Sequence, residues 1–264
     1  MKYLADITRP IATELAQFEV FFEQTLKADT EPMDSIMRHT LLSRGKRLRP
    51  ILVLLSAKLF GEVNEQTLRA ATFVEMLHTA TLIHDDVVDD SNQRRGQTSV
   101  KAQYGNLSAV LAGDYLLAKA MLLLSQPKDT DILNEMLGTT AAMSEGELMQ
   151  NAVADCVPLS EKTTKYLNII TRKTALLMRS CCLAGAMSVG ASPEQIRHIA
   201  DFGINFGILF QLRDDMLDGE NTKTAKSLLP EYQQKTLDAL KRLPTSETSE
   251  TLRDLTVFCA ERAE

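Results

Sequence analysis

The sequence lacks the features of several common classes of protein. The formal net charge is -6, so there is no basic excess to support general nucleic-acid binding. No Cys-x-x-Cys pair is present, so we expect neither a disulfide framework nor a zinc site. This cysteine usage fits a reducing environment, and we expect a cytoplasmic protein. The four cysteines are Cys156, Cys181, Cys182 and Cys259.

Patterns of a signal peptide or a membrane span are also missing. The first ten residues, MKYLADITRP, carry Asp6 within their apolar start, unlike a signal peptide. The longest apolar region, from about Leu107 to Leu124, is interrupted by Asp114 and Lys119. We therefore expect no transmembrane helix.

Glycine and proline are scarce, with 12 and 8 residues in a chain of 264, and alternating β-branched runs bounded by turns are missing. Apolar residues instead recur at helical spacing along most of the chain, and strong helix formers are plentiful. The sequence therefore predicts an all-α protein without strands. Helices are predicted after Pro50, up to Asp85, from about Ser108 to Leu124, from about Asp131 to Ala154, after Ser160, from Pro193 to Asp218, and after the loop 244–249.

The connections between the predicted helices are short, as at residues 61–64 and 126–129. Short links between long helices favour antiparallel neighbours in a bundle. No low-complexity linker divides the chain. We predict one antiparallel helix bundle that forms a single domain over residues 1–264.

The segment HDDVVDD, residues 84–90, places four aspartates at the end of an apolar helix. Asp85 and Asp89 are four residues apart and would share one helix face, and Asp86 and Asp90 would form a second such pair. Negative charge at a helix C-terminus is unfavourable unless a cation lies nearby. A solvated acidic helix face is the alternative for any one such cluster.

A second cluster makes that alternative less favoured. Asp214 and Asp218 repeat the spacing of four at the end of another predicted helix. Carboxylate oxygens at this density suit Mg2+, which completes its shell with water and substrate phosphate. The sequence therefore indicates a diphosphate held by Mg2+ between two aspartate clusters.

Basic residues form three groups that fit a diphosphate ligand. Four cations lie within RGKRLRP (44–50), two within RRG (94–96), and two at 172–173. Each group alone would be a common basic surface turn. Beside a diphosphate held by metal, each becomes a candidate for binding phosphate through arginine forks or a lysine charge.

In this order the motifs resemble those of the trans-polyprenyl diphosphate synthases. The resemblance covers most of residues 40–218. The matching segments are RGKRLRP (44–50), EMLHTATLIHDDVVDDSNQRRG (75–96), AVLAGDYLLAKA (109–120), EGELMQ (145–150), RKTALL (172–177) and FGILFQLRDDMLD (206–218).

The resemblance implies the isoprenoid synthase fold, a helix bundle around a central substrate cavity. It implies a prenyltransferase that condenses isopentenyl diphosphate with an allylic diphosphate, assisted by three Mg2+ ions. A homodimer that delivers its product to the membrane is expected. By this resemblance, Mg2+ would be bound by Asp85, Asp89 and Asp214, with support from Asp86, Asp215 and Asp218. The allylic diphosphate would be contacted by Arg94, Lys173 and Gln211. Isopentenyl diphosphate would be held by Lys46, Arg49, His78 and Arg95, and substrate would also be bound by Thr174.

Product length is predicted from the residues one turn or so before Asp85. Ala80 and Thr81 are small where short-chain members of the family carry bulky aromatic residues, and Leu77 lies one turn further back. Met121 and Leu124, on the next long helix, are candidates for the floor of the tunnel, with ordinary core packing as the alternative for both. We expect a long-chain, octaprenyl-like product.

The resemblance breaks after Asp218. Family members continue with a lysine-containing loop and further helices, but here residues 219–264 lead almost directly to a family-like C-terminal end. Either the segment is truly shortened or the sequence omits a loop, with the join between Gly219 and Glu231. Two other functions remain open: a non-catalytic partner subunit of a heteromeric prenyl synthase, and a class I terpene cyclase.

Overall fold

The structure, a computed structural model, describes residues 3–42, 45–151 and 159–262. Almost all of this part of the chain is helical, which confirms the predicted all-α fold. Its α-helices are α1 (Leu4–Ile7), α2 (Ala12–Leu26), α3 (Glu31–Leu42), α4 (Leu48–Phe60), α5 (Glu65–Val88), α6 (Val100–Tyr104), α7 (Asn106–Leu123), α8 (Thr130–Asn151), α9 (Leu159–Ile170), α10 (Leu176–Ser188), α11 (Pro193–Asp218), α12 (Thr222–Leu240) and α13 (Glu247–Glu261).

Three predicted features lie outside the described residues. These are the basic residue Arg44, the cysteine Cys156, and the end of the fourth predicted helix at Ala154. The described part of that helix, α8, ends at Asn151.

The centre of the bundle is formed by α4 and α10. Every residue of α4 from Pro50 to Ala57 is buried, as is every residue of α10 from 180 to 186. A helix that is apolar on all sides must be surrounded by other helices. Accordingly α4 packs against α5 and α10, and α10 packs against α5, α8 and α11. The two helices that carry the aspartate clusters, α5 and α11, therefore both contact α10.

One short hairpin departs from the prediction of no strands. Strand β1 (Gln93–Arg94) pairs antiparallel with β2 (Gln97–Thr98), so that Arg94 lies opposite Gln97. The turn between them has positive φ at both central residues, 51° at Arg95 and 75° at Gly96, as a two-residue hairpin turn requires. The hairpin follows the first aspartate cluster directly and turns Arg94 and Arg95 back towards it.

A π-helical turn joins α9 to α10. It spans Thr171–Ala175 and continues both helices without a break. A π-turn inserts an extra residue into the helical repeat and is often found at functional sites. Here it carries Lys173 and Thr174, two of the predicted substrate-binding residues.

The helices α11 and α12 are joined by residues 219–221 alone. Gly219 and Asn221 both have positive φ, 79° and 43°, which lets the chain reverse sharply. Ala225 at the start of α12 is buried against Ile208 and Leu212 of α11. This is the region where the family resemblance breaks, and α12 occupies it by packing closely along α11.

Helix α7 is long and apolar enough to cross a membrane, by length and composition alone. It is the one helix of this kind in the part of the chain that the structure describes. One face packs along α5, through Ala109, Ala112 and Leu116. The opposite face leaves Leu107, Leu111 and other apolar side chains exposed.

Candidate active site

The first aspartate cluster lies where α5 ends. The backbone N–H of Asp89 donates to the carbonyl of Asp85 at 2.8 Å, so these two side chains remain one turn apart, as predicted. The helix stops at Val88, and Asp90 has a φ of 53°. Asp86 and Asp90 therefore do not share a helix face, and their predicted pairing is wrong.

The second pair of aspartates is held by basic residues instead. Asp86 is buried and accepts a hydrogen bond from Nε of Arg94 at 2.9 Å. Asp90 is exposed and pairs with Lys101. Arg94 was predicted to contact the allylic diphosphate, and the structure places it beside the cluster through its pairing with Asp86.

Asp85 lies among charges of both signs. The pKa of its carboxyl is raised to about 6, chiefly by burial and next by Glu147, with Asp89 adding to the increase and Lys173 and Arg94 opposing it. Glu147 belongs to α8 and Lys173 to the π-turn. The C-terminal end of α5 therefore faces both of these elements.

Lys173 is oriented by α8. Its Nζ lies 2.8 Å from Oε2 of Glu147 and donates to Oε1 of Gln150 at 3.1 Å. The close approach of α8 and the π-turn depends on Gly146, because a Cβ there would lie 2.8 Å from the backbone nitrogen of Lys173. The EGELMQ segment thus both spaces and orients the π-turn.

The second aspartate cluster divides into three different environments. Asp214 is partly buried and pairs with Arg262 near the C-terminal end of α13. Burial raises the pKa of Asp214, and Arg262 opposes that shift. Asp215 is buried and Asp218 is exposed.

Asp215 is a structural residue in this arrangement. It accepts hydrogen bonds from the hydroxyl of Tyr166 and, at 2.7 Å, from Nε2 of Gln211. Gln211 in turn accepts a 2.7 Å hydrogen bond from the hydroxyl of Thr174. Burial and Asp215 raise the pKa of Tyr166 above its usual value. The network fixes Thr174 and Gln211, both predicted substrate-binding residues, relative to α11.

A cationic cavity of about 430 Å³ lies beside these clusters. It brings together all four residues predicted to hold isopentenyl diphosphate, from the segment before α4, from α4 and α5, and from the hairpin. Glu75 is the carboxylate in its lining. The charged and aromatic residues that the argument uses from its lining are Lys46, Arg47, Arg49, His78, Arg95, Glu75, Phe210 and Arg262.

His78 is neutral in this cavity. Burial lowers its pKa well below the usual value, and Arg49 and Arg95 lower it further. Nε2 of His78 lies 3.4 Å from Nη2 of Arg95, so the neutral ring accepts a hydrogen bond from that guanidinium. The histidine is therefore satisfied by a protein group and also faces the cavity.

Arg49 shows that the cavity suits an anion. It is deeply buried, and burial lowers the pKa of its guanidinium. Its Nε has no hydrogen-bond partner. A buried, unsatisfied donor is costly, and a diphosphate oxygen is an acceptor that would satisfy it.

The predicted chain-length residues are divided between the core and the surface. Leu77 and Ala80 are fully buried, and Thr81 is half-buried and donates to the carbonyl of His78 at 2.8 Å. Met121 lies on the exposed face of α7, with 36% of its surface accessible. The structure therefore does not bring Met121 to the buried side of α7, where Ala120 lies.

Two residues of the site were missed by sequence reasoning. Arg262 pairs with Asp214, and its guanidinium lies 4.2 Å from the centre of the Phe210 ring. Glu147 pairs with Lys173. Glu147 lies within the EGELMQ motif, which was a usable signal, whereas nothing in the sequence pattern points to Arg262.

The carboxylates are better suited to Mg2+ than to a metal ion that is coordinated by protein side chains alone. No group of three or more His, Cys, Asp or Glu side chains within the described ranges is arranged to hold a metal ion. Mg2+ needs only one or two carboxylates together with water and substrate phosphate. Asp85 with Asp89 at the end of α5, and Asp214 on α11, are the carboxylates that could hold Mg2+ in this way.

Comparisons with known proteins agree with this geometry. Residues 30–234 match the family model described as Polyprenyl synthetase. The chain is 39% identical over 199 residues to geranylgeranyl diphosphate synthase of Sulfolobus acidocaldarius, covering 73% of this chain and 60% of that protein. It is 36% identical over 193 residues to octaprenyl diphosphate synthase of Haemophilus influenzae, covering 73% and 58%. The chain thus spans about three fifths of the length of these curated relatives.

Solved structures show the same fold. The polyprenyl synthase of Caulobacter crescentus, complexed with calcium and isoprenyl diphosphate, superposes with a TM-score of 0.90 at 26% identity over 99% of this chain and 98% of that one. A decaprenyl diphosphate synthase of Rhodobacter capsulatus gives 0.88 at 26% identity, covering 99% and 100%. From its motifs, its fold and the family model, the chain belongs to the polyprenyl synthetase family.

Proposed function

We propose that the protein is a trans-prenyltransferase that condenses isopentenyl diphosphate with an allylic diphosphate. The observation that carries the proposal is the cationic cavity beside Asp214, where Lys46, Arg49, His78 and Arg95 meet. These residues come from separate parts of the sequence and converge on one anion site. Relatives named as prenyl diphosphate synthases support the same activity.

Each side of the site has a separate role in this proposal. Asp85, Asp89 and Asp214 would hold Mg2+, in our proposal three ions, and the metal would supply positive charge to stabilise the diphosphate of the allylic substrate. Lys173, held by Glu147 and Gln150, approaches the same diphosphate from the π-turn. The cavity residues hold isopentenyl diphosphate with its double bond directed at the allylic carbon.

The reaction needs no dedicated protein base. Cleavage of the allylic C–O bond leaves a carbocation, the double bond of isopentenyl diphosphate attacks it, and the departing diphosphate accepts the released proton. A neutral His78 suits this scheme because it adds no further positive charge beside the guanidinium groups. The buried apolar helices behind the aspartates keep water away from the cation.

We propose a long-chain all-trans product. Ala80 is small and buried on α5, five residues before Asp85, so this position contributes no bulky side chain that would stop the growing product. Relatives named octaprenyl, nonaprenyl and heptaprenyl diphosphate synthases support a long product. The protein would act in the cytoplasm as a homodimer and deliver this product to the membrane.

The test is Mg2+-dependent incorporation of labelled isopentenyl diphosphate into farnesyl diphosphate, with products separated by length. A ladder that ends at one long product is the expected result. Asp85→Asn should lower the rate at least 100-fold, whereas Asp90→Asn, at the exposed aspartate paired with Lys101, should leave the rate within about twofold. Release of hydrocarbon from farnesyl diphosphate alone would identify a cyclase instead.

A failure to incorporate isopentenyl diphosphate would contradict the proposal if the protein is folded. Circular dichroism and a cooperative thermal transition establish that condition. Activity restored only by a second, separately purified chain would identify a partner subunit. The region after Asp218, where residues 219–221 join α11 to α12, would then be the first place to examine.

A further inference from the structure

Arg47 also lines the cationic cavity, and its guanidinium is bound by two protein carboxylates. Its Nε donates to Oε1 of Glu19 at 2.8 Å and its Nη1 donates to Oε1 of Glu75 at 2.7 Å. A second contact, from Nη2 to Oε2 of Glu19 at 3.3 Å, makes the pairing with Glu19 bidentate. Arg47 is therefore neutralised before any substrate enters.

The backbone of Arg47 is strained. Its φ is 54° and its ψ is 27°, a left-handed conformation that is unfavourable for residues with a Cβ. Such strain persists only where the surrounding structure imposes it, and it is concentrated at functional sites. Glycine would adopt this conformation without penalty, so the arginine side chain must offset the strain by its contacts.

Those contacts come from two other helices. Glu19 and Phe22 belong to α2, and Glu75 belongs to α5. The guanidinium carbon of Arg47 lies 4.8 Å from the centre of the Phe22 ring, within the range of a cation–π interaction. The side chains of Arg47 and Glu75 are 10% and 3% exposed, so this pairing is shielded from solvent and is stronger than a surface ion pair.

These contacts matter because Arg47 lies at the start of α4, close in sequence to two cations of the cavity. Arg47 precedes α4, and its carbonyl accepts the first helical hydrogen bond, from the N–H of Ile51 at 3.0 Å. Lys46 directly precedes Arg47 and Arg49 lies two residues after it, and both line the cationic cavity. The direction in which the chain enters α4 therefore sets where both of these cations lie.

We propose that Arg47 is a positioning residue that fixes Lys46 and Arg49 for the diphosphate of isopentenyl diphosphate. Glu19 and Glu75 hold its guanidinium, and the held side chain keeps the backbone in its left-handed turn. This inference rests on the proposed function for the identity of the ligand. It assigns to α2 and Glu19 a role in the reaction although no residue of α2 lines the cationic cavity.

The experiment separates the backbone from the side chain. Arg47→Gly permits the left-handed turn at no steric cost but removes the guanidinium that Glu19 and Glu75 hold. Arg47→Lys retains the charge but loses the bidentate hydrogen bonding. Glu19→Gln leaves Arg47 intact and removes one carboxylate. The matched control is Arg38→Lys, since Arg38 also pairs with two carboxylates, Glu31 and Asp34, but lies away from the cavity.

Two measurements are made on each variant. The first is calorimetric binding of isopentenyl diphosphate in EDTA, without allylic substrate, which requires no catalysis. The second is steady-state kinetics with each substrate varied in turn. For Arg47→Gly we expect binding at least tenfold weaker and a similar rise in KM for isopentenyl diphosphate, with KM for the allylic substrate within about twofold.

The remaining variants should weaken the binding of isopentenyl diphosphate less than Arg47→Gly does. Arg47→Lys and Glu19→Gln should weaken binding about threefold, and Arg38→Lys should bind like the wild type. Equal binding by wild type and Arg47→Gly would overturn the inference and leave the proposed function standing. A parallel rise in both KM values would also overturn it, because that pattern indicates general loss of structure. Absence of binding by folded wild type would overturn both.

Discussion

At the scale of single residues, His78 makes the stability of the folded protein depend on pH. Its neutral form is favoured in the folded protein because burial and the neighbouring Arg49 and Arg95 lower its pKa. In the unfolded chain the same side chain takes up a proton near pH 6.5. The unfolded state therefore binds more protons below that pH, and the stability that the neutral histidine provides is lost as pH falls.

Replacing His78 by glutamine should remove this dependence. The wild-type free energy of unfolding should fall by about 1.4 kcal/mol more than that of His78→Gln between pH 7.5 and pH 5.5. Urea denaturation at the two pH values measures the difference directly. Identical pH dependence in both proteins would show that His78 takes up its proton normally in the folded state.

Ala80 is the residue on which the predicted product length depends. Its side chain is fully buried, so a tyrosine fits only if space for the growing chain continues past it. We expect Ala80→Tyr to fold and to end its products several isoprene units shorter, as measured by chromatography of the labelled products. An unchanged product, or destabilisation by more than about 3 kcal/mol, would show that no tunnel passes this residue.

The partners of individual residues explain why the sequence predicted some roles and not others. Asp85 and Asp89 could be predicted because a spacing of four on a helix is a local property. Asp214 and Asp215 differ in environment although they are adjacent, because their partners, Arg262 and Tyr166, lie 48 and 49 positions away. Only tertiary packing decides such pairings.

At the scale of elements, the spacing between α8 and the π-turn is set by one residue. A Cβ at Gly146 would meet the backbone of Lys173 at 2.8 Å and Cβ of Arg172 at the same distance. Because the contact is with backbone, the π-turn itself has to move. The pairing of Lys173 with Glu147 would be lengthened or lost.

We therefore expect Gly146→Ala to lower stability by about 1–3 kcal/mol and to raise KM for the allylic diphosphate several-fold. Urea denaturation and steady-state kinetics give the two values. The control is Gly138→Ala on the same helix, where an added Cβ has no atom within 4 Å. That change should stabilise by up to about 1 kcal/mol. If both variants behaved alike, the spacing would not matter.

The elements also differ in how far the sequence could predict them. The helices α4, α5 and α11 could be predicted from their long apolar runs, because the spacing of apolar residues can be read directly from the sequence. The hairpin was missed although Gly96 follows Arg95 in a position typical of a tight turn. The π-turn has no such local signal, since its extra residue is imposed by the packing of α8 and α11 against it.

At the scale of the whole molecule, α7 leaves an apolar surface that the single chain does not cover. Leu107, Val110 and Leu111 lie at helical spacing on one face, and Leu122 continues it, with accessible fractions from 40% to 75%. Leu148 on α8 is 70% exposed. Leu107, Val110 and Leu111 form an exposed apolar group near the start of α7, and such groups often mark an interface. The expected homodimer would bury it by placing two copies of α7 against each other.

Leu111→Glu tests this arrangement, because Leu111 is 52% exposed in the single chain and lies in the middle of the apolar face. The substitution should cost the isolated chain little but would bury two charges in a symmetric interface. We expect the dimer dissociation constant to rise at least tenfold, a loss of about 1.4 kcal/mol, measured by sedimentation velocity. Val20→Glu on α2, where valine is 58% exposed, should leave association unchanged. A Leu111→Glu protein that sediments as the wild-type dimer would place the interface elsewhere.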